Sequence, residues 1–203
     1  MSFAHECKRN VTAVLQIDVL KLLMEHGVNV IATDEDKRSV LHHACTNHNH
    51  VMVKALLEHE SLRITHLESL DSHGQTPMAA LFMKSPEDDD SLVACLKLLL
   101  DAGANPDVHF RANPLDYSRS GFAVSSDTSL QQNVTPLIVA IAHRDRRAIA
   151  QLLGHDTNRA SINLADESGI SPFLHAVKTN DANIVIQLLN ADGRAPDDDD
   201  FAR

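Results

Sequence analysis

Residues 166–176 read Asp-Glu-Ser-Gly-Ile-Ser-Pro-Phe-Leu-His-Ala, and variants of this short pattern open four segments of the 203-residue chain. In each segment a serine or threonine precedes an apolar, helix-forming run, at Ser39, Thr76, Thr135 and Ser171. A small hydroxyl residue can cap a helix, and proline follows it at three of these sites, where it suits the first helical position. The starts lie 37, 59 and 36 residues apart. A period in this range indicates an array of small units.

Each unit continues as turn, helix, turn and second helix. In the last unit, Gly169 can supply the positive φ of a tight turn, and Pro172 can open the first helix. Apolar residues at helical spacing follow. The pair Asn180-Asp181 then interrupts the pattern before a second apolar run, which ends in Leu188-Leu189. The sequence therefore predicts a pair of antiparallel helices in each unit.

The pattern D-x-x-G-x-[ST]-P-L-H-x-A, followed by V-x-x-L-L, resembles the ankyrin repeat, whose period is about 33 residues. Residues 71–77 (Asp-Ser-His-Gly-Gln-Thr-Pro) match its opening, and residues 19–27 (Val-Leu-Lys-Leu-Leu-Met-Glu-His-Gly) match its second helix. Residues 98–105 (Leu-Leu-Leu-Asp-Ala-Gly-Ala-Asn) match the end of that helix. The resemblance implies an all-α ankyrin-repeat solenoid of helix-turn-helix units, with short β-hairpin-like turns and one long hairpin-loop insertion.

The resemblance divides residues 1–203 into a single array with one inserted loop. The predicted parts are an atypical unit 1 (4–31), unit 2 (34–66), unit 3 with an inter-helix insertion (71–107), a long loop insertion (108–129), unit 4 (130–163), unit 5 (166–197), and a truncated start of a further unit or a tail (198–203).

Unit 2 departs from the family pattern at its turn. Lys37 stands where the turn glycine belongs and Val40 where the proline belongs, so we expect a less rigid turn. His42 keeps the signature histidine, which the family uses to brace the turn, whereas units 3 to 5 have other residues there. These departures predict a modestly stable array.

The longest departure is the insertion at residues 108–129. A loop of this length is usually either disordered or functional. In the family this hairpin segment protrudes on the concave, partner-facing side. The insertion is then either a spacer, whose deletion would leave helicity and stability nearly unchanged, or a recognition element carrying Phe110, Tyr117 and Phe122.

Composition narrows the classes of partner and the compartment. A net charge of −10 argues against binding to nucleic acid. The chain has three cysteines, Cys7, Cys45 and Cys95, and none of them forms a C-x-x-C motif. An odd number of widely spaced cysteines is typical of a reduced, cytoplasmic protein. No apolar stretch approaches the 18 residues of a membrane-spanning helix, so we expect no direct membrane insertion.

Residues that carry chemistry do not form a recognisable site. His42 and His43 point in different directions on one helix, and His48 lies beyond its end, so we predict no metal site. Cys45 occupies a small position that the family buries. There is no Gly-rich phosphate loop and no G-x-S-x-G. We therefore expect no catalytic residue, metal or cofactor; a hydrolase using a Cys45/His pair is the minor alternative.

The resemblance implies a protein-interaction scaffold or adaptor without catalysis, monomeric as an isolated fragment, that binds another protein or a peptide on its concave surface. The alternative is a regulatory or targeting segment of a larger multidomain enzyme or ion channel. Partner-contact positions carried over from the family are turn residues and residues late in the first helices, joined by the aromatic residues of the insertion. They are Glu35, Asp36, Arg38, Thr46, Asn47, Ser72, His73, Gln75, Met83, Lys84, Phe110, Tyr117, Phe122, Gln131, Gln132, Val134, His143, Glu167, Ser168, Ile170, Lys178 and Thr179.

Overall fold

The computed structural model describes residues 22, 26, 32–83, 89–112, 132–155 and 160–192. Most of unit 1 lies outside these ranges. Within them, the helices are α1 (Val40–Thr46), α2 (His50–Glu58), α3 (Glu60–His66), α4 (Pro77–Leu81), α5 (Asp89–Asp101), α6 (Pro136–Ala142), α7 (Arg146–Gly154), α8 (Pro172–Thr179) and α9 (Ala182–Asp192). The strands are β1 (Phe110–Ala112) and β2 (Gln132–Val134).

The helices form two layers. In the layer of first helices, α1 packs on α4 and α6 packs on α8. In the layer of second helices, α2 packs on α5, α5 on α7 and α7 on α9. Each of units 2 to 4 thus packs against the next one in chain order, as in other repeat proteins. The predicted all-α solenoid is confirmed.

Hydroxyl caps begin the first helices. The side-chain oxygens of Ser39, Thr76, Thr135 and Ser171 each accept the backbone N–H three residues later, at 3.2–3.4 Å. Such a cap satisfies one of the N–H groups that a helix start leaves without an intrahelical partner. The helix starts predicted from the repeated pattern are therefore confirmed.

Short aliphatic side chains fill the space between the two layers. Leu96, Leu99 and Ile141 are fully buried there, together with Cys45 and Cys95. The chain has no tryptophan, and only 3% of its residues are aromatic. Small apolar side chains suit the close approach of thin helix layers. The core position predicted for Cys45 is confirmed.

Three units share one aspartate-centred turn. Oδ1 of Asp34, Asp71 and Asp166 accepts two backbone N–H groups of its own turn, at 2.8–3.0 Å. The fourth turn residue has positive φ in each case: 58° at Lys37, 74° at Gly74 and 75° at Gly169. Unit 2 therefore keeps the hydrogen bonds of the turn and holds a lysine in the left-handed region, which costs an L-residue about 1 kcal/mol or more.

Replacing Lys37 with glycine is expected to raise the free energy of unfolding by about 0.5 kcal/mol, because relief of the left-handed backbone outweighs the added flexibility of the unfolded chain. The reciprocal change, Gly74→Ala, is expected to lower it by about 1 kcal/mol. No heavy atom lies within 4 Å of a Cβ added at Gly74, so that loss would reflect backbone conformation alone. Urea denaturation of both variants tests these two predictions. A Lys37→Gly protein less stable than the unaltered protein would contradict the first of them.

The predicted loop insertion begins inside the folded array. Strand β1 pairs antiparallel with β2, and Phe110 stands opposite Val134. Phe110 and Ala112 are both buried in the core. Deleting residues 108–129 would therefore remove core side chains, which corrects the expectation that stability would be unchanged. Residues 113–131, with Tyr117 and Phe122, lie outside the described residues.

Helix α3 is a feature of unit 2 that the sequence pattern did not predict. It follows α2 after His59 and packs on α2, with Leu62 and His66 buried. Ile64, on the same helix, is largely exposed. The inter-helix insertion predicted in unit 3 falls mainly on residues 84–88, which lie outside the described residues.

Candidate functional site

A continuous series of hydrogen bonds joins the turn tips of successive units. The backbone N–H of Ser72 donates to the carbonyl of Asp36 at 2.7 Å, which ties unit 3 to unit 2. Nε2 of Gln75 donates to the carbonyl of Arg111 at 3.3 Å, which ties the turn of unit 3 to β1. The series therefore runs from unit 2 into the strand pair.

The strand pair carries the series on to unit 5. Arg111 is the register partner of Asn133 across β1 and β2. The carbonyl of Asn133 accepts the backbone N–H of Glu167 at 3.0 Å, and Oε2 of Glu167 accepts the N–H of Asn133 at 3.1 Å. We call the joined segments 34–38, 71–75, 110–112, 132–134 and 166–170 the turn-tip edge.

Asp71 holds two units of the turn-tip edge together. Its carboxylate is almost fully buried and accepts Nε of Arg38 from unit 2 at 3.3 Å. Burial acts to raise the pKa of Asp71, but hydrogen bonds from the backbone of Gln75 and His73, and from Arg38, outweigh it and leave the pKa below its usual value. Arg38 is half-buried in this ion pair, so its guanidinium serves the fold of the edge.

Units 2 and 5 repeat a histidine–aspartate contact at equivalent positions. Nε2 of His43 lies 2.8 Å from Oδ2 of Asp34, and Nε2 of His175 lies 2.8 Å from Oδ2 of Asp166. Burial lowers the pKa of His175 in spite of its carboxylate partner. The exposed turn carboxylate of Asp34 has a pKa below its usual value, chiefly because it accepts the backbone N–H of Arg38. Both contacts hold a turn against the first helix of its unit.

His42 braces unit 2 against unit 3. Nδ1 lies 3.2 Å from the backbone N–H of Ser39 and must accept it, since an N–H can only donate. Nε2 lies 3.0 Å from the carbonyl of Gln75 and must donate to it. The two contacts together require neutral imidazole with its proton on Nε2, and burial lowers the pKa of the ring accordingly. The predicted role of His42 is confirmed.

A second inter-unit brace lies at the turn between the two helices of a unit. His48 and Arg144 both have positive φ there, at 51° and 57°. Nε2 of His48 lies 2.9 Å from the carbonyl of Leu81, and Nη2 of Arg144 donates to the carbonyl of Thr179 at 2.8 Å. His48 is buried, although the sequence places it beyond the end of the first helix of unit 2.

The structure divides the predicted partner-contact residues into four groups. The exposed group is Glu35, Asp36, Asn47, Ser72, His73, Glu167, Ser168 and Lys178. The half-buried group is Arg38, Thr46, Met83, His143 and Ile170. The buried group is Gln75, Phe110, Val134 and Thr179. Lys84, Tyr117, Phe122, Gln131 and the side chain of Gln132 lie outside the described residues.

The four buried residues support the fold, which corrects their assignment as partner contacts. The amide of Gln75 donates to β1, as described above. Phe110 and Val134 face each other across the strand pair and pack in the core. The hydroxyl of Thr179 donates to the carbonyl of Ala176 at 2.7 Å. Each of the four residues has an exposed fraction of 8% or less.

Arg111 is an exposed member of the turn-tip edge that the sequence reasoning missed. It projects from β1 between two buried residues, Phe110 and Ala112. Three residues of buried–exposed–buried alternation are too few to indicate a strand by themselves, so the sequence alone gave no sufficient signal for this position.

Cys45 is too deeply buried to act as a nucleophile. Burial raises the pKa of its thiol well above the usual value, and the nearby Cys95 adds to the effect. A thiol rather than a thiolate at a fully buried position is unreactive. Within the described ranges, no three His, Cys, Asp or Glu side chains are grouped so that they could hold a metal ion. The described helices include none with both the length and the apolar character needed to cross a membrane.

Comparison with known families agrees with this architecture. Residues 11–109 match a family model described as ankyrin repeats, in three copies. A search of curated proteins gives no match to the chain. Ankyrin repeats are in general protein–protein interaction modules, and their fold is not a catalytic one. This match shows that residues 11–109 belong to the ankyrin-repeat family, and the helix pairs of units 4 and 5 continue the same stacking.

Proposed function

We propose that this protein is an interaction scaffold or adaptor that binds a partner protein or peptide along the turn-tip edge and the adjoining ends of the first helices. The continuous hydrogen-bonded series from Asp36 to Glu167 carries the proposal. It fixes the turn tips of units 2, 3 and 5 and the strand pair relative to one another. A surface that is already ordered loses less conformational entropy when a partner binds.

Charge on the turn-tip edge favours a polar partner with basic groups. Glu35 and Asp36 at one end and Glu167 at the other are exposed acids. His73 and Arg111 lie between them and are exposed as well. Complementary charge at such a rim acts mainly on association rate and specificity. A partner segment with basic groups near its ends and an acidic or polar centre fits this order.

Substitutions with opposite charge test the proposal. Glu35→Arg, Asp36→Arg and Ser168→Arg, combined in one protein, place three cations on the turn-tip edge. We expect recovery of bound partners from a cell extract, measured by quantitative mass spectrometry against the unaltered protein, to fall about tenfold or more. The substituted side chains are exposed, so the thermal midpoint should change little.

A matched control places the same kind of change on the second helices. Glu58→Arg, Asp90→Arg and Ala150→Arg change two acids and one neutral residue to arginine, as in the edge variant, at exposed positions of α2, α5 and α7. Partner recovery should be retained in this protein. Equal recovery with the edge variant and the unaltered protein, or a loss confined to the control, would contradict the proposal.

The compartment and the extent of the array belong to the same proposal. We infer that the protein acts in the cytoplasm, from the cysteine pattern of the sequence. A monomeric state stands as a prediction. The unit boundaries stand as predictions, and the partner experiment tests three of the exposed candidate residues, Glu35, Asp36 and Ser168.

A further inference from the structure

Units 3 and 4 bury a first-helix position that units 2 and 5 leave accessible. The fourth residue after the capping hydroxyl is His43 in unit 2, whose side chain is 52% exposed, and His175 in unit 5, which is half-buried. The equivalent residues of units 3 and 4 are Ala80 and Val139, with exposed fractions of 4% and 3%. We call the side of the first helices that carries these four residues the open side.

A second position on the open side shows the same contrast. The seventh residue after the cap is Thr46 in unit 2, which is half-buried, and Lys178 in unit 5, which is exposed. In units 3 and 4 it is Met83, which is half-buried, and Ala142, which is 6% exposed. Both positions are therefore polar in the flanking units and apolar in the middle ones. We call Ala80, Met83, Val139 and Ala142 the apolar floor.

The described helices do not supply a cover for the apolar floor. All five residues of α4 and all seven residues of α6 are buried, and every one of them is apolar. A helix that is apolar all round is covered on every side. Within the described residues, α4 packs on α1 and α5, and α6 packs on α7 and α8, but α4 and α6 are not among the helix pairs that pack together. The cover on the open side therefore comes from another part of the chain.

The strand pair lies directly beside the apolar floor. Nε2 of Gln75 donates both to Sδ of Met83 and to the carbonyl of Arg111, each at 3.3 Å. Ala112 follows Arg111 on β1 and is the register partner of Gln132 on β2. Residues 113–131 are joined to the strand pair at these two partners. This segment is thus tethered about one side chain away from the floor.

The segment 113–131 has the length and the chemistry to cover the floor. Phe122 lies at its middle, ten residues from Ala112 and ten from Gln132. Ten extended residues span up to about 33 Å, whereas a helix of seven residues, such as α6, is only about 10 Å long. The residues around Phe122, Ser-Gly-Phe-Ala-Val-Ser-Ser at 120–126, carry no charge. An uncharged run with a central aromatic side chain suits an apolar surface.

Other segments outside the described residues suit the floor less well. Residues 84–88 and 156–159 contain no Leu, Ile, Val, Met or aromatic residue. Residues 193–203 place four consecutive aspartates beside their one phenylalanine, and burial of those carboxylates on an apolar surface would be costly. By the repeat pattern, residues 4–31 belong to unit 1, and unit 2 separates them in chain order from units 3 and 4.

We propose that Phe122 and the uncharged residues around it dock on the apolar floor, so that this chain occupies the centre of its own open side. The docking rests on the floor and on the tether at the strand pair, and it does not depend on a partner at the turn-tip edge. One consequence does rest on the proposed function. A partner would be confined to the turn-tip edge and to the open-side positions of units 2 and 5, including His43 and Lys178.

Removal of the segment tests the inference. Ala112 and Gln132 stand opposite each other, so a two-residue Asn-Gly turn can replace residues 113–131 and leave β1 and β2 in place. A thiol placed by Ala80→Cys in the full chain and in the shortened chain reports on the floor. We expect a thiol reagent to modify it about tenfold or more faster in the shortened chain, because a covered thiol is inert.

His43→Cys provides the matched control. It occupies the equivalent open-side position of unit 2, which is already exposed, so its labelling rate should be equal in the full and shortened chains. The signal from the native cysteines is subtracted in each case. Cys45 and Cys95 are buried, and their modification would reveal a shortened chain that has unfolded.

A measurement on the full chain keeps the test independent of the shortened one. The chain has no tryptophan, so Phe122→Trp introduces a single fluorescent reporter at the middle of the segment. We expect acrylamide to quench it markedly less than the tryptophan of Ser168→Trp, which stands at an exposed turn position. Faster labelling of Ala80→Cys in the shortened chain, with His43→Cys unchanged and the tryptophan of Phe122→Trp protected, supports the proposal.

Two results would overturn the inference. One is equal labelling of Ala80→Cys in the full and shortened chains while Cys45 and Cys95 remain unreactive. The other is quenching of Phe122→Trp as strong as that of Ser168→Trp, since the middle of the segment would then lie in solvent. The quenching result decides the question alone if the shortened chain does not fold.

Discussion

Replacing Phe110 with alanine is expected to lower the free energy of unfolding by about 4 kcal/mol, the range observed when a large aromatic core side chain is truncated. Phe110 is only 2% exposed, lies opposite Val134 and packs in the core cluster. Alanine would leave a cavity that the short strand pair can close only in part. Urea denaturation followed by far-ultraviolet circular dichroism measures the loss.

Arg111 on the same strand supplies the control for this prediction. Its side chain is exposed, and only its backbone carbonyl accepts the amide of Gln75. Arg111→Ala should therefore change the free energy of unfolding by less than about 0.5 kcal/mol. If Phe110 instead belonged to a solvated recognition loop, both variants would have nearly the same free energy of unfolding as the unaltered protein. That result would contradict the placement of β1 in the core.

Local signals in the sequence predicted much of this fold. Each first helix follows a hydroxyl cap, and each aspartate-centred turn is complete within five residues, so neither depends on distant parts of the chain. The burial of Cys45 followed from its place at a small position that the family buries. Helix caps and tight turns, which a few consecutive residues determine, were therefore predicted correctly.

Features that depend on a distant partner were not predicted. Phe110 is buried because its strand pairs with β2 on the far side of residues 113–131, and no local pattern specifies that register. Thr179 and Gln75 are polar residues near surface turns, yet contacts with neighbouring units bury them. His48 is buried for the same reason. Burial at the contact between units is a property of the stacking, which a single unit's sequence does not contain.

Replacing His42 with alanine is expected to lower the free energy of unfolding by about 3 kcal/mol. The change would leave the backbone N–H of Ser39 and the carbonyl of Gln75 buried without their present partners, and each such group costs about 1–3 kcal/mol. His43→Ala is the control, because that neighbouring ring is exposed and its aspartate contact is at the surface; its effect should be below about 1 kcal/mol. Comparable losses in the two variants would contradict the bracing role.

The same histidine should make stability depend on pH in a defined direction. Burial lowers the folded-state pKa of His42 below its ordinary value of 6.5, so below that pH the unfolded chain binds more protons than the folded one. Its contribution is therefore fully present above pH 6.5 and is lost as pH falls toward the folded-state pKa, where a protonated Nδ1 can no longer accept the N–H of Ser39. Asp71, whose folded-state pKa is below 3.8, loses its contribution only at much lower pH. Urea midpoints measured at about pH 7.5 and about pH 5.5 separate the contribution of His42 from that of Asp71. Between these two pH values the His42→Ala variant should lose less stability than the unaltered protein. His175 titrates with the same sign and remains in the variant, so the pH dependence should be reduced rather than abolished.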